Sequence, residues 1–210
     1  MKRYSWLFLM LSFFGMVQAN SFNPNANYQT CFTPQKKAFW TTSCTDLIVQ
    51  SIQEAKTQIL VQAYSFTSAA ILKALVVAKN RGVDVEVILD KSQVSSHYTS
   101  ARYLANQGVP VWIDNKVAIA HNKVMIIDKT TVIEGSFNFT NAAQNQNAEN
   151  VNIISDVGFA EAYFQNWEKR QLVSRRYLSF ESSEHGFKKN NPNFSISERQ
   201  AAKLVKHLLS

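Results

Sequence analysis

The chain has 210 residues, of which 46% are hydrophobic and 18% are charged. These values exclude a chain too short or too polar to bury a core, and they suit one globular domain. The formal net charge of +7 favours a polyanion or an anionic membrane surface as partner, although mild positive charge can also serve solubility alone.

The first nineteen residues have the pattern of a signal peptide. Lys2 and Arg3 precede an apolar run of twelve residues, Trp6 to Val17, which is too short to span a bilayer because a span takes about 20 residues. Ala19 suits cleavage by a signal peptidase. An uncleaved N-terminal anchor is the alternative. We expect a secreted or periplasmic mature chain beginning near Asn20, with the net charge lowered from +7 to +5 by loss of the two basic residues.

Residues 20–45 are polar and irregular in pattern, with Pro24 and Pro34. This pattern predicts a leader segment that is held against the domain. Cys31 and Cys44 are the two cysteines of the chain. In an oxidising compartment they predict a disulfide that closes a short loop and contributes about 3 kcal/mol. Zinc would need two more ligands close by in sequence, and none is there.

Helices and strands alternate in the first half of the predicted domain, which spans residues 46–174. The predicted elements are a helix over Asp46–Gln58, a strand over Ile59–Phe66, a helix from Thr67 or Ser68 through Asn80, a strand over Val83–Asp90, a helix over His97–Asn106 and a strand over Val109–Asp114. The repeated order of helix, Gly-Val and strand implies crossover connections. It predicts an α/β fold with a largely parallel sheet and helices on its faces.

The pattern changes after residue 114. Closely spaced strands are predicted over Val117–Ala120, Lys123–Asp128, Thr131–Glu134 and Asn150–Ser155. They leave no room for helices between them, so we expect antiparallel additions that make the sheet mixed. A helix over Val157–Val173 follows, and its packing face is predicted to hold Ala160, Tyr163, Phe164 and Trp167. We interpret these aromatic side chains as core rather than as a platform on which bases stack.

Residues 175–210 form a separate extension that ends in a predicted amphipathic helix. Ser197 can cap this helix. Its apolar face carries Ala201, Leu204, Val205 and Leu208, and its basic residues are Arg199, Lys203 and Lys206. Such a helix can dock on the domain or lie on an anionic membrane.

One string of polar residues carries the chemistry. It reads H-x-K-x4-D-x6-G-S-x-N and comprises His121, Lys123, Asp128, Gly135, Ser136 and Asn138. Six fixed positions arise by chance in roughly a few per million chains of this length. His121 and Lys123 are two residues apart on a predicted strand and therefore share a face. Asp128 is an odd number of residues from His121, which predicts a supporting structural role.

This string resembles the HKD motif of the phospholipase D superfamily. The resemblance runs from about Cys31 to Arg170 and is closest to small members with a single motif: Nuc-type bacterial endonucleases and short secreted phospholipase D-like proteins. It implies an α/β/α sandwich with one HKD half-site per chain. It also implies a phosphodiesterase that needs no metal or cofactor and acts through a phosphohistidine.

Each polar residue of the string has a physical reason to be there. His121 would be the nucleophile, since neutral imidazole is reactive near pH 7 and also leaves phosphorus readily. Lys123 would supply positive charge and Asn138 a neutral donor to the non-bridging oxygens. Ser136 would hydrogen-bond within the site. By the resemblance, Glu149 in "NAENV" would hold the second ring nitrogen of the histidine.

The mechanism needs a second histidine to protonate the leaving oxygen. His97, His185 and His207 lie in no comparable context. The resemblance implies a twofold homodimer in which His121 of each subunit faces its twin across the interface.

Rival chemistries find less support in the sequence. Asp84, Glu86 and Asp90 share one strand and are interpreted as surface or strand-end groups, not as metal ligands. Ser65 and Ser136 lack the sequence context of hydrolase nucleophiles. We therefore expect no metal site.

The substrate is less sharply indicated. Phospholipid is favoured by the resemblance to short secreted members and by the basic terminal helix. The alternative is a non-specific endonuclease, favoured by the positive charge and the Nuc-type resemblance. A remote alternative is a non-catalytic binding protein, which predicts damage to the motif, and none is visible.

Overall fold

The computed structural model describes residues 25–35, 42–94 and 99–178. The predicted signal peptide and the predicted terminal helix lie outside these ranges. In the three described ranges, no helix combines the length and the apolar character that crossing a bilayer requires.

The fold is one eight-stranded sheet with helices on both faces. The strands are β1 (Asn27–Thr33), β2 (Gln58–Ala63), β3 (Asp84–Asp90), β4 (Val111–Asp114), β5 (Lys123–Ile127), β6 (Thr131–Gly135), β7 (Glu149–Ser155) and β8 (Arg175–Arg176). The helices are α1 (Cys44–Glu54), α2 (Ala69–Asn80), α3 (Ser100–Asn106), α4 (Asn141–Asn145) and α5 (Val157–Val173), and a 3₁₀ turn covers Lys91–Val94.

The sheet is mixed, and its order is β1-β7-β6-β5-β2-β3-β4-β8. The α/β class and the mixed sheet are confirmed, but the expectation of a largely parallel sheet is corrected. Only the β2–β3 and β3–β4 pairs are parallel, and the other five neighbouring pairs are antiparallel. The reason is connection length: parallel neighbours need helical crossovers, whereas β5 and β6 are joined by a tight turn that can only reverse the chain.

Three layers form because alternate residues of the central strands point to opposite faces. Val61 of β2 belongs to the larger core, which it shares with α1, α2 and α3, whereas Leu60 belongs to the core beneath α5. Trp167 of α5 is 4% exposed and donates its indole N–H to the Val61 carbonyl at 3.0 Å. Phe159, Tyr163 and Phe164 pack partly buried against the same core. The α/β/α sandwich and the core role of these aromatics are therefore confirmed.

One local prediction is wrong, and one helix was missed. Residues 117–120 form no strand, and 117–119 are exposed. Their backbone is held instead by side chains of another segment: Asp90 accepts the Ala120 N–H at 2.7 Å, and the Lys91 ammonium donates to the Val117 carbonyl at 3.1 Å. Helix α4 was not predicted, because it is short and polar. Its N-cap is Thr140, whose hydroxyl accepts the Ala143 N–H.

The leader is not irregular throughout, because residues 27–33 form β1 and pair antiparallel with β7. A predominantly polar strand was missed because only Cys31 and Thr33 of β1 are buried, so its alternation is weak. The disulfide between Cys31 and Cys44 is confirmed, with the two Cα atoms 5.5 Å apart. It ties the edge strand to the first turn of α1.

The extension also begins inside the domain. Arg175 and Arg176 pair with Ile113 and Trp112 as the last strand of the sheet. The guanidinium of Arg176 lies over the Trp112 ring at 4.5 Å. The boundary predicted at residue 174 is therefore the end of α5 rather than the end of the folded domain.

Candidate active site

The polar residues of the motif meet at one edge of the sheet. This edge holds the carboxyl ends of β2, β3 and β6 and the amino ends of β5 and β7, as the pairing of Ala63 with Lys123 and of Gly135 with Val151 shows. Ligand sites in open α/β sheets form at the carboxyl ends of the parallel strands. Residues on strands that run in opposite directions are thereby brought together at this edge of the sheet.

His121 and Lys123 are in contact. The Lys123 ammonium lies 3.1 Å from each ring nitrogen of His121 and donates to the His121 carbonyl at 2.8 Å. The Tyr64 ring packs against the imidazole with centroids 4.6 Å apart, and the Tyr64 N–H donates to the Asn122 carbonyl at 2.9 Å.

Lys123 is a buried cation beside the exposed imidazole of His121. It is 6% exposed and lies on β5, while its ammonium is 5.2 Å from the centre of the Tyr64 ring. Burial lowers the pKa of Lys123 from its ordinary value, and the negative charge of Glu149 partly opposes this shift. A partly desolvated ammonium interacts more strongly with an anionic substrate oxygen than a hydrated one does.

The Gly-Ser-x-Asn turn places a second group of polar atoms at this edge. Ser136 donates to a Glu149 carboxylate oxygen at 2.6 Å and accepts the Asn150 N–H at 3.1 Å. The other Glu149 oxygen accepts from the Asn147 amide at 2.9 Å. Within the described residues, Glu149 thus bonds to Ser136 and Asn147 and not to His121, so its predicted contact with the imidazole stays a prediction.

The residues before and after Asn138 are buried aromatic residues, which fix its position in the turn. Phe137 and Phe139 are 2% and 1% exposed, and the Phe139 carbonyl accepts the N–H groups of Thr67 and Ser68. The side-chain oxygen of Asn138 is buried without a hydrogen-bond partner in the described chain. A buried acceptor without a partner is costly, and only a ligand that donates a hydrogen bond would recover that cost; an anionic oxygen would instead be held by the N–H groups of the Asn138 amide.

Asp128 lies at the opposite edge of the sheet. It is five residues from Lys123 along β5, roughly 17 Å at strand spacing. Its carboxylate accepts the N–H groups of Lys56, Thr57 and Gln58 at 2.7 to 3.0 Å, and the Thr57 hydroxyl at 2.9 Å. Asp128 therefore closes the α1–β2 connection, and the structure does not bring it together with the other motif residues.

Asp128→Asn is expected to lower stability without changing turnover by the folded enzyme. Burial raises the pKa of Asp128, but the hydrogen bonds from Gln58, Thr57 and Lys56 outweigh it and leave the pKa below its ordinary value. Stabilisation by the carboxylate is thus present above about pH 4 and is lost as pH falls through the lower folded pKa. Asparagine keeps one acceptor and tolerates the left-handed φ of 52°. We expect a loss of about 2 kcal/mol at pH 7.

Denaturant unfolding at pH 7 and pH 3 measures this effect, with wild type in parallel. The difference between the two proteins should shrink at pH 3. A fully folded Asp128→Asn protein with a large loss of kcat would contradict the structural role.

Three supporting residues were missed by sequence reasoning. Tyr64 was visible in "AYSF" but no pattern assigned it to the imidazole. Asp90 was interpreted as a surface or strand-end group; it ends β3, yet it is only 2% exposed and holds the backbone next to His121. Thr33, in the supposed irregular leader, accepts the Glu149 N–H at 3.1 Å. All three contacts join residues distant in sequence, so no local spacing signals them.

Metal ligands do not gather at this edge. Across the part of the chain that the structure describes, no group of three or more histidine, cysteine, aspartate or glutamate side chains could hold a metal ion. The groups present are the exposed imidazole of His121, the buried ammonium of Lys123 and the side-chain amide of Asn138, whose N–H groups can donate to an anion. Together they can attack and hold an anionic phosphoryl centre.

Comparison with known proteins places this chemistry in a family. Residues 48–170 match the family model described as cardiolipin synthase, PLD-like domain. The chain is 44% identical over 149 residues to phospholipase D of Rickettsia prowazekii, covering 71% of this chain and 70% of that protein. It is 25% identical over 173 residues to mitochondrial cardiolipin hydrolase of Mus musculus, covering 81% and 76%.

Solved structures agree with this assignment. Nuc of Salmonella typhimurium, a phospholipase D family member, superimposes with a TM-score of 0.67 at 38% identity over 73% of this chain and 99% of that one. NucT of Helicobacter pylori shares the fold, with a TM-score of 0.62 at 19% identity over 72% of this chain and 100% of that one. The chain belongs to the phospholipase D superfamily, and it is a phosphodiesterase hydrolase.

Proposed function

We propose that the protein is a secreted phospholipase D that hydrolyses the headgroup phosphodiester of a phospholipid. The observation that carries this proposal is the similarity to the Rickettsia phospholipases D, combined with an intact His121–Lys123 pair at the site. The buried Lys123 ammonium indicates that this edge holds an anion, because its desolvation costs free energy unless an anion interacts with it.

The first step is attack of His121 on phosphorus. The bond from phosphorus to the headgroup oxygen breaks, and the phosphatidyl group stays on the imidazole. Lys123 neutralises a non-bridging oxygen, and Asn138 offers its amide to another. In the second step, water attacks phosphorus, the phosphorus–nitrogen bond breaks, and phosphatidic acid leaves with His121 regenerated.

The leaving headgroup oxygen needs a proton, and the water of the second step must lose one. His121 is the sole histidine among the described residues. We therefore propose a twofold homodimer in which His121 of the second subunit acts as acid and then as base. Ser136 and Glu149 would line the same shared site. The scheme uses no metal and no cofactor.

Secretion or export to the periplasm is part of the proposal. It is supported by the pattern of residues 1–19 and by the Cys31–Cys44 disulfide, since disulfides persist in oxidising compartments. The test is whether the exported protein begins near Asn20, which N-terminal sequencing measures.

A second candidate function is cleavage of nucleic acid. The similarity to Nuc and the net charge of +7 favour it, because a basic surface attracts a phosphate backbone. The same two-step chemistry applies to either phosphodiester, so the site alone does not choose between them.

The deciding experiment offers both substrates to purified residues 20–210 in EDTA. Phosphatidylcholine vesicles and single-stranded DNA are incubated in parallel, each with a His121→Ala control. We expect choline release without DNA cutting. A primary alcohol added to the lipid reaction should divert product from phosphatidic acid to a phosphatidyl alcohol, because the covalent intermediate accepts either nucleophile.

Two results would contradict the proposal. DNA cutting without choline release would make the endonuclease the better description. Activity retained by His121→Ala in EDTA would exclude the phosphohistidine.

A further inference from the structure

Exposed apolar side chains stand on the loop that leads into the nucleophile. Ile119 is 56% exposed and Val117 is 37% exposed, respectively two and four residues before His121. Single exposed aliphatic side chains are common on protein surfaces, but these two lie directly beside the residue that would attack the substrate, where a ligand must approach.

This exposure is built into the fold and does not come from a loose loop. Asp90 is 2% exposed and accepts the Ala120 N–H at 2.7 Å, and the Lys91 ammonium donates to the Val117 carbonyl at 3.1 Å. Burial raises the pKa of Asp90, but hydrogen bonds from Ser92 and Ala120 outweigh it and keep the pKa below its ordinary value. The loop is thus anchored on both sides of Ile119, which leaves the side chains of Val117 and Ile119 pointing outward.

A third apolar side chain lies on the other flank of the site. Phe32 is 65% exposed and sits at the carboxyl end of β1, next to Thr33, whose hydroxyl holds the Glu149 N–H. β1 is three strand positions from β5 in the sheet, roughly 14 Å. We call Val117, Ile119 and Phe32 the apolar rim.

Positive charge lies next to the apolar rim. Lys91 and Lys116 are both exposed, and Lys116 directly precedes Val117. Apolar side chains flanked by lysines match the boundary of a bilayer, where acyl chains lie just beneath anionic phosphates. A nucleic acid backbone would use the lysines but not the aliphatic side chains of Val117 and Ile119.

We propose that the apolar rim is the membrane-contacting surface of the enzyme, seating the site on a phospholipid bilayer. This inference rests on the proposed phospholipase activity and names how its substrate is reached. Insertion of Ile119 and Phe32 below the headgroups would bring the scissile phosphodiester level with His121. The lysines would then contact neighbouring phosphates.

Ile119→Ser tests the proposal, and Val157→Ser is the matched control. Val157 is 66% exposed but follows the far end of β7, at the opposite edge of the sheet. Each protein is assayed on vesicles of phosphatidylcholine with phosphatidylglycerol and on dihexanoyl phosphatidylcholine below its micelle concentration. Vesicle co-sedimentation is measured in a His121→Asn background, and the oligomeric state by light scattering.

We expect Ile119→Ser to lose about tenfold or more in vesicle binding and vesicle hydrolysis, because one large apolar side chain no longer leaves water. Hydrolysis of the soluble lipid should change less than twofold. Val157→Ser should match wild type on both substrates.

Two outcomes would overturn the proposal. The first is equal vesicle binding by Ile119→Ser and wild type. The second is dissociation of the Ile119→Ser dimer, which would show that a second copy covers the rim. If wild type hydrolyses neither lipid, the proposed function is wrong. The membrane contact of the apolar rim is tested independently by vesicle co-sedimentation.

Discussion

A heterodimer of one wild-type subunit and one His121→Asn subunit is expected to be inactive. In the proposed mechanism one His121 attacks phosphorus while its twin protonates the leaving oxygen. A heterodimer with a single His121 therefore lacks either the nucleophile or the acid at each step. The His121→Asn homodimer should lose at least about 10³-fold in kcat, since asparagine supplies no nucleophile. His121 is exposed, and we therefore expect stability to change by less than about 1 kcal/mol.

The measurement uses two differently tagged subunits that are co-expressed and purified through both tags. A heterodimer of wild type with Val157→Ser is the control and should retain full activity. Independent sites would instead leave the His121→Asn heterodimer with about half of wild-type activity. That result, or failure to isolate any heterodimer, would contradict the shared site.

Gly135→Ala is expected to lower the free energy of unfolding by about 3 kcal/mol or more. Activity should be lost because the protein no longer folds stably. Gly135 has φ = +145°, and a Cβ placed there would lie 2.2 Å from the Asn150 carbonyl oxygen. The obstacle is backbone of the neighbouring strand β7, which cannot rotate away as a side chain could. Moving it would also displace Ser136 and Glu149, which this close approach brings together.

Gly82→Ala is the matched control for this prediction. Gly82 also has a positive φ, +94°, but a Cβ there would meet nothing within 4 Å. The Gly82→Ala substitution should lower the free energy of unfolding by only about 1 kcal/mol, because it adds only the strain of a left-handed backbone. Both variants are compared by denaturant unfolding with the disulfide intact. Equal losses would show that backbone strain, and not the approach to Asn150, makes Gly135 necessary.

Much of the fold could be predicted because its central elements carry strong periodic signals. Helix α5 has the predicted bounds, Val157–Val173, and β3 differs by one residue. The misses have a common cause. β1 and β8 are edge strands stabilised by pairing with a neighbour. Residues 117–120 are apolar like a buried strand, but they pair with no strand in the described part of the chain.

The residues of the site likewise fall into those that local spacing could predict and those that it could not. Spacing brings His121 and Lys123 together, because residues two apart in an extended chain share a face. The same alternation predicted that Asp128 points to the other face of the sheet. The structure instead places Asp128 just beyond the far end of β5, where it bonds to the α1–β2 connection. Tyr64 and Asp90 could not be assigned, because each reaches its partner across dozens of residues.

The α/β class, the disulfide, the motif and the superfamily could be predicted from the sequence, since these depend on residue types at short separations. Three features needed the folded chain: Asp128 supports the opposite edge of the sheet, Asp90 anchors the loop before His121, and Ile119 is left exposed beside it. Such contacts follow from strand order and register, which bring distant segments together, and strand order is set by packing of the whole core rather than by any local pattern.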